Sequence, residues 1–327
     1  MKILVRLPNW LGDMVMAVAT VQQLPHFFPD CTVSVIAKQG IHQLLPYFPP
    51  MEHQFVFKKE EYRGPKGLWK FGRMIRQTEK FDLYLSLPDS FSAALMGFAT
   101  GAKKRVGFRN EARSILLTHS FAKPAGLHRV AEYLRLPELF TKMESNEATV
   151  SLRHSFVKED HVVININSEA SSRRLTVAKA VEIISATRQE FPHRIVLIGG
   201  PKEKEFVASV ASLLPNPQRV EVVAGKTSLP QLVELLASAK VVLSTDSGPA
   251  HLANALGTQT IVLFGAGNEN NTAPYNKENC QVIRLGKLSC EPCTKNVCVR
   301  FDTPQCLELL DTNQIIAAMH QKLINGN

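Results

Sequence analysis

Leu243-Ser244-Thr245-Asp246-Ser247-Gly248-Pro249-Ala250-His251 is the stretch whose reading decides the fold. The apolar run Val241 to Leu243 is predicted to be a buried strand. It stops at a Ser/Thr/Asp/Gly turn, and Pro249 suits the first position of a helix, where a missing N–H costs nothing. Such a turn aims backbone N–H groups and the positive end of a helix dipole past the strand, and phosphate is the natural guest there. His251 falls about one turn into the helix, able to donate to the same anion or its ribose. Without a ligand, the same stretch reads as a well-capped βα turn with a satisfied histidine.

A second turn of this kind stands at the other end of the chain, Arg6-Leu7-Pro8-Asn9-Trp10-Leu11-Gly12-Asp13-Met14. Lys2 to Val5 suit the first strand of a parallel sheet, and Met14 to Leu24 carry apolar residues at helical spacing. Asp13 therefore falls at or just inside a helix N-terminus. It is either an ordinary capping aspartate or a carboxylate held at a strand's C-terminal edge, where open α/β sheets place their ligands. In the second case the dipole is expected to keep it ionised, ready to take a proton from an acceptor hydroxyl.

At 327 residues the chain has room for two domains, and 45% hydrophobic residues is an ordinary globular composition. No apolar run reaches the about 18 residues of a membrane span. Arg6, Pro8 and Asp13 interrupt the first apolar segment and no small-residue cleavage site follows, so a cytoplasmic location is expected. The charge is uneven: residues 1–150 carry a net +7 of the chain's +9. The excess centres on Lys58 to Lys80, where Lys66, Lys70 and Arg73 share one helical side and Leu68, Phe71 and Ile75 the other. This is a solvated face of a core-packed helix, or a basic surface for an anionic membrane or acceptor. No nucleic-acid motif accompanies the charge, so nucleic acid is not an expected partner.

Alternating strands and helices run the length of the chain. Strands are expected at Thr32–Ala37, Phe81–Leu87, Lys104–Gly107, His161–Asn167, Arg194–Gly199, Val220–Ala224, Val241–Ser244 and Thr260–Phe264. Helices are expected at Val177–Glu190, Lys202–Leu214, Leu229–Ala239 and Gln314–Ile324, the last capped by Thr312 or Asn313. The alternation breaks near 145–158, which implies two doubly wound α/β domains, 1–155 and 156–327. Facing each other, they would form a cleft with Asp13 on one lip and Asp246 to His251 on the other.

Beyond these two turns, further motifs occur in order: Arg105-Val-Gly-Phe-Arg-Asn-Glu-Ala-Arg113, Leu127-His-Arg-Val-Ala-Glu-Tyr-Leu134, Gly199-Gly-Pro-Lys-Glu203, Gly225-Lys-Thr-Ser-Leu229 and Cys290-Glu-Pro-Cys293. Taken together, the sequence resembles the bacterial lipopolysaccharide heptosyltransferases, the ADP-heptose transferases of glycosyltransferase family 9, and among them the heptosyltransferase II group. The resemblance implies a GT-B fold of two Rossmann-like domains, with an acceptor-binding amino domain and an ADP-heptose-binding carboxyl domain. It implies inverting transfer of L-glycero-D-manno-heptose from ADP-heptose to the inner core of lipid A-linked lipopolysaccharide, at the cytoplasmic face of the inner membrane. Asp13 would be the catalytic base, and the Ser247-Gly248 helix start with His251 would hold the diphosphate.

The resemblance also distributes the other candidates. Gly12 and Ser168 border the donor, Gly200 and Glu203 would meet its ribose, and Thr227 and Ser228 would line the nucleotide pocket. Glu203 otherwise reads as a favourable acid in a first helical turn, and Thr227 and Ser228 as caps. Asp246 is expected to cap its turn or reach the sugar or ribose. Asn9, Trp10, Arg109, Arg113 and His128 are the acceptor candidates. After the His161 strand the family usually carries a lysine, then a tryptophan two positions on and a proline; here Arg173, Leu175 and Thr176 stand there. Arg173 would still clamp a phosphate, bidentately rather than as a point charge, with Arg174 beside it.

Cys290, Cys293, Cys298 and Cys306 offer four thiols, read as structural with zinc as the alternative. Cys31 and Cys280 read as ordinary buried thiols. No Asp-x-Asp pair occurs to chelate a donor-bound metal, so neither a metal nor any other cofactor is expected. Three rivals compete. A nicotinamide-dependent dehydrogenase would need a Gly-x-Gly-x-x-Gly after a strand, which is absent. A non-catalytic nucleotide-sugar-binding protein and a family 9 transferase using another nucleotide sugar are the others.

Overall fold

In the computed structural model, which describes residues 1–325, the chain divides into two compact units, Met1–Arg153 and His154–Asn327. Unit 1 holds β1 (Lys2–Arg6), α1 (Leu11–Met16), α2 (Val18–Phe27), β2 (Thr32–Lys38), β3 (Gln54–Phe57), α3 (Gly64–Thr78), β4 (Leu83–Ser86), α4 (Phe91–Thr100), β5 (Lys104–Phe108), β6 (His119–Phe121) and α5 (Arg129–Thr141). Its strands form one parallel sheet in the order β3-β2-β1-β4-β5-β6.

Unit 2 repeats the plan. It holds β7 (His161–Asn165), α6 (Val177–Glu190), β8 (Arg194–Leu197), α7 (Lys204–Ser212), β9 (Val220–Val222), α8 (Leu229–Ser238), β10 (Val241–Thr245), α9 (Gly248–Ala255), β11 (Gln259–Phe264), α10 (Glu269–Thr272), β12 (Cys280–Arg284), α11 (Gln305–Glu308) and α12 (Thr312–Asn325). Its parallel sheet runs β12-β11-β10-β7-β8-β9. Each sheet is built outward from its centre in two directions. The order in which strands are added reverses between β1 and β4 in unit 1 and between β7 and β10 in unit 2, and ligands of open α/β sheets bind at such switch points.

The central strands read in sequence as continuous apolar runs because helices cover both faces: β7 and β10 are buried at every residue. Three strands were not expected, β3, β6 and β12, and all three are sheet edges. An edge strand has one neighbour and is partly exposed, so it lacks the apolar run that marks a central strand. The single helix expected over Met14–Leu24 is α1 and α2, with a hydrogen-bond ladder crossing the joint at Ala17 (Ala17 N–H to Asp13 O, 3.0 Å; Val21 N–H to Ala17 O, 3.3 Å). At the other end α12 begins at Thr312, so its cap is Asp311, whose Oδ1 accepts from the Asn313 N–H at 2.9 Å, rather than Thr312 or Asn313.

Each unit has its own apolar core. Leu4, Ile36, Phe71, Ile75 and Tyr84 pack together under α3 in unit 1. In unit 2, Ile164, Leu197, Leu243 and Leu263 from the sheet meet Ile183 and Ile184 of α6, Met319 of α12, and Leu175. Burying a Leu side chain of this kind contributes about 1.5–3 kcal/mol.

Candidate functional site

Two strand-to-helix turns, one per unit, stand at the two switch points. In unit 1 the turn after β1 is pinned from below by Arg6. Its guanidinium is buried and donates to the carbonyls of Leu7 and Ile36 (3.2 Å to the latter) and to Asn9 Oδ1 at 2.5 Å. A cation buried this deeply has its pKa lowered to about 10 by desolvation. In the sequence, Arg6 shows only as a charged residue closing an apolar central strand.

Asp13 is the third residue of α1, whose start no side chain caps. Its side chain is 28% exposed, with Arg129 Nε 3.6 Å from Oδ1 and a hydrogen bond from Tyr133. Burial pushes its carboxyl above the ordinary value, against the pull of Arg129 and with some help from Glu132. Desolvation thus works against the helix dipole that is expected to favour the ionised form. Arg129 is itself held by Glu132 (2.8 Å), which Lys123 also meets (3.1 Å), and Lys123 reaches Asp89 (3.0 Å). This chain of charges ties the β1, β4 and β6 loop ends together.

In unit 2 the β10–α9 turn is stitched to the loop after β7. Asn165 Nδ2 donates to Ser247 Oγ (2.8 Å) and Ser244 Oγ (3.1 Å), Thr245 Oγ1 donates to the Asn167 carbonyl, and Asn167 Nδ2 donates to the Ile198 carbonyl (2.8 Å). Neither asparagine was singled out from the sequence; polar residues alternating with isoleucine at the end of a buried strand were the available signal. Gly248 opens α9 and Pro249 follows it, one position later than expected, and no side chain caps that helix. Ser168 is buried and donates to the Asp246 carbonyl (3.4 Å), and His251 is buried one turn in.

Asp246 is 4% exposed, and Arg173 Nη1 sits 3.1 Å from its Oδ2. Burial raises its pKa to about 6, against the pull of Arg173 and Arg284. A Cβ at Gly267 would lie 2.0 Å from Oδ2, so only glycine fits there. No side-chain capping bond closes the turn, and the Asp246 carboxylate is buried against Arg173. Arg174 turns away over the Phe206 ring (5.1 Å). Leu175, in place of the family's tryptophan, is buried in the unit 2 core. The Cys290–Cys306 segment braces the loops after β7 and β11: Ser172 Oγ donates to the Lys295 carbonyl (2.5 Å), Ser172 N–H to Asn296 O (3.2 Å) and Thr294 N–H to Ala266 O (2.8 Å).

The other candidates sort as follows. Gly200 and Glu203 are adjacent, a Cβ at Gly200 falling 2.6 Å from Glu203 Oε2, on the loop after β8. Thr227 is half-exposed, while Ser228 is the N-cap of α8 in a full capping box with Gln231. Gly12, Asn9 and Trp10 lie on the β1 loop, Trp10 60% exposed with Lys38 Nζ 6.0 Å from its ring. Arg109 is exposed after β5, and His128 caps α5 by accepting from the Val130 N–H (3.2 Å). Arg113 is corrected: it is 1% exposed, its guanidinium donating to Ser86 Oγ and the Pro88 carbonyl (3.0 Å each), so it braces the β4 loop instead of meeting an acceptor. Cys31 and Cys280 are half-buried rather than fully buried thiols, and none of the six cysteines is bonded to another. Among the described residues no three His, Cys, Asp or Glu side chains gather as a metal's ligands would.

A family model described as glycosyltransferase family 9 (heptosyltransferase) matches residues 68–301. The chain belongs to glycosyltransferase family 9. Lipopolysaccharide heptosyltransferase 2 of Escherichia coli is 27% identical over 310 residues, covering 87% of this chain and 88% of the relative. The lipopolysaccharide core heptosyltransferase OpsX of Haemophilus influenzae is 26% identical over 283 residues, covering 81% and 79%. Among solved structures, the E. coli ADP-heptose LPS heptosyltransferase II superposes with a TM-score of 0.84 at 23% identity, over 99% of each chain. A family 9 glycosyltransferase from Veillonella parvula gives 0.85 at 18% identity, over 99% of this chain and 97% of that one. The doubly wound GT-B fold expected from the motifs is therefore the fold of this family 9 chain.

Proposed function

We propose that this chain transfers L-glycero-D-manno-heptose from ADP-heptose to the inner core of lipopolysaccharide, with inversion and without a metal cofactor, as a cytoplasmic protein working at the inner membrane. The observation that carries the reading is Asp13: a half-buried, partly accessible carboxylate with a raised pKa at the unit 1 switch point, in a family 9 chain. A base of raised pKa takes a proton more readily from an acceptor hydroxyl. As Asp13 Oδ accepts that proton, the acceptor oxygen attacks the anomeric carbon and the bond to ADP breaks on the opposite face. Unit 2 supplies the anchor. The uncapped start of α9 and the Arg173 guanidinium both favour anionic oxygens, and their pull grows as negative charge builds on the departing diphosphate. The absence of an Asp-x-Asp pair supports diphosphate binding by these groups. The names of the relatives supply the donor and acceptor class.

The test is ADP release from ADP-heptose with lipopolysaccharide cores truncated at successive sugars. Release only with a core ending in a single heptose is expected for the native chain, and Asp13→Asn should abolish it. No release with any core would overturn the donor or acceptor, and a panel of other nucleotide sugars would then identify the family 9 alternative.

A further inference from the structure

The basic face of α3 has an apolar companion that the reaction does not use. Lys66, Lys70, Arg73 and Arg76 are exposed on α3, and Trp69 lies among them, 41% exposed. On α4, Phe91 (49% exposed), half-buried Leu95 and Phe98 (40%) follow one another at helical spacing, while the opposite side of α4 is buried. The two helices pack together. The Trp69 and Phe98 rings meet at 5.8 Å, Arg105 lies 5.3 Å from the Phe98 ring, and Arg76 crosses the end of α4 at Gly101. No Asp or Glu occurs between Glu61 and Glu79 or between Asp89 and Glu111. Among the described residues, none of the four α3 cations is held in a salt bridge.

We propose that this α3–α4 face docks on the surface of an anionic phospholipid bilayer. Aromatic rings with polar neighbours favour the headgroup level, and each cation near such a surface adds electrostatic attraction. Charge complementarity decides the occupant, since a face with cations and no acids fits a continuous anionic surface. Phe91 begins α4 at the C-terminal edge of β4, the edge where the Asp89–Lys123–Glu132–Arg129 chain leads to Asp13. A bilayer on this face lies beside the loops that would receive a lipid-anchored sugar. The inference deepens the membrane part of the function proposed above.

The experiment is flotation of the full chain with phosphatidylglycerol-containing vesicles and with pure phosphatidylcholine vesicles. Binding is expected only to the former, and both Trp69→Ala/Phe98→Ala and Lys66→Glu/Lys70→Glu/Arg73→Glu should weaken it by about tenfold or more. In a Trp10→Phe background Trp69 alone reports, and its emission should shift to the blue on phosphatidylglycerol vesicles. Trp69→Ala/Phe98→Ala should keep its circular dichroism and its transfer rate on a soluble, delipidated core. Undiminished binding in both variants would overturn the proposal. So would loss confined to charge reversal of Lys287, Lys295 and Arg300, three exposed cations of unit 2, or a vesicle-free dimer abolished by Trp69→Ala/Phe98→Ala. Heptose transfer without vesicle binding sinks this inference alone; vesicle binding through the face without transfer sinks the activity alone.

Discussion

The β1–α1 turn of unit 1 and the β10–α9 turn of unit 2 flank the switch points of two sheets of the same strand order from opposite sides, β1 matching β7 and β10 matching β4. Each carries an aspartate facing an arginine, and burial raises both carboxyls above their ordinary range. The difference is access. Asp13 keeps 28% of its side chain open, with its arginine at 3.6 Å, whereas Asp246 is 4% exposed, with Arg173 at 3.1 Å. An accessible carboxylate with a loose partner can exchange a proton with a substrate. A sealed one in close contact can only hold its partner in place. One topology thus gives an accessible carboxylate in one unit and a sealed carboxylate–arginine pair beside a helix start in the other.

The largest expected effect breaks the comparison at its chemical end. Asp13→Asn keeps the shape but cannot accept a proton, so kcat should fall about 10²–10⁴-fold with little change in thermal stability. Retention of full activity by that variant would place the base elsewhere. Asp246→Asn should act on stability. A folded-state pKa raised to about 6 means the native chain keeps a proton that the unfolded chain has already lost. Stability from this group is therefore highest below the unfolded value, falls as pH rises through the window up to about 6, and then levels off. Removing the charge should raise stability at pH 7.5 by up to about 3 kcal/mol, the equivalent of roughly two pH units, with the gain vanishing towards pH 4. Its donor KM should rise as Arg173 loosens. Denaturant melts across pH check the sign, and a variant less stable at pH 7.5 would make Asp246 a net stabiliser.

A subtler break concerns the cation beside Asp13. Arg129 pulls that carboxyl down, as does the hydrogen bond from Tyr133. Arg129→Gln should therefore raise the Asp13 pKa further and move the acidic limb of kcat/KM to higher pH, with the plateau rate less affected. An unshifted limb would mean that Arg129 does not set the base's charge.

The fold was legible where the physics is local. Buried central strands advertise themselves as apolar runs, and Pro249 and the Ser/Thr turns mark helix starts, so the two-sheet plan and both switch-point turns could be read directly. Edge strands β3, β6 and β12 could not, because partial exposure dilutes their pattern. At the site, sequence named the residues on the loops but not which of them face inward. Arg113 looked like a surface cation and is the bracket of the β4 loop, because Ser86 and a carbonyl far along the chain satisfy it. Asn165 and Asn167 went unnoticed for the same reason: their partners at Ser244, Ser247 and Ile198 are distant in sequence.

The smallest expected effect sharpens the unit 2 side. Ser228 suits both a nucleotide contact and a helix cap in sequence, and in the structure its hydroxyl and backbone exchange hydrogen bonds with Gln231, Ser228 N–H to Gln231 Oε1 at 2.8 Å. A cap of this kind contributes about 1 kcal/mol, because it satisfies backbone N–H groups that the first helical turn leaves without partners. Ser228→Ala should lower the stability of the chain by about that amount and leave the donor KM unchanged, with Thr227→Ala as the neighbouring comparison. A several-fold rise in donor KM without loss of stability would return Ser228 to the nucleotide pocket and extend the unit 2 site from the β10 turn across to the loop after β9.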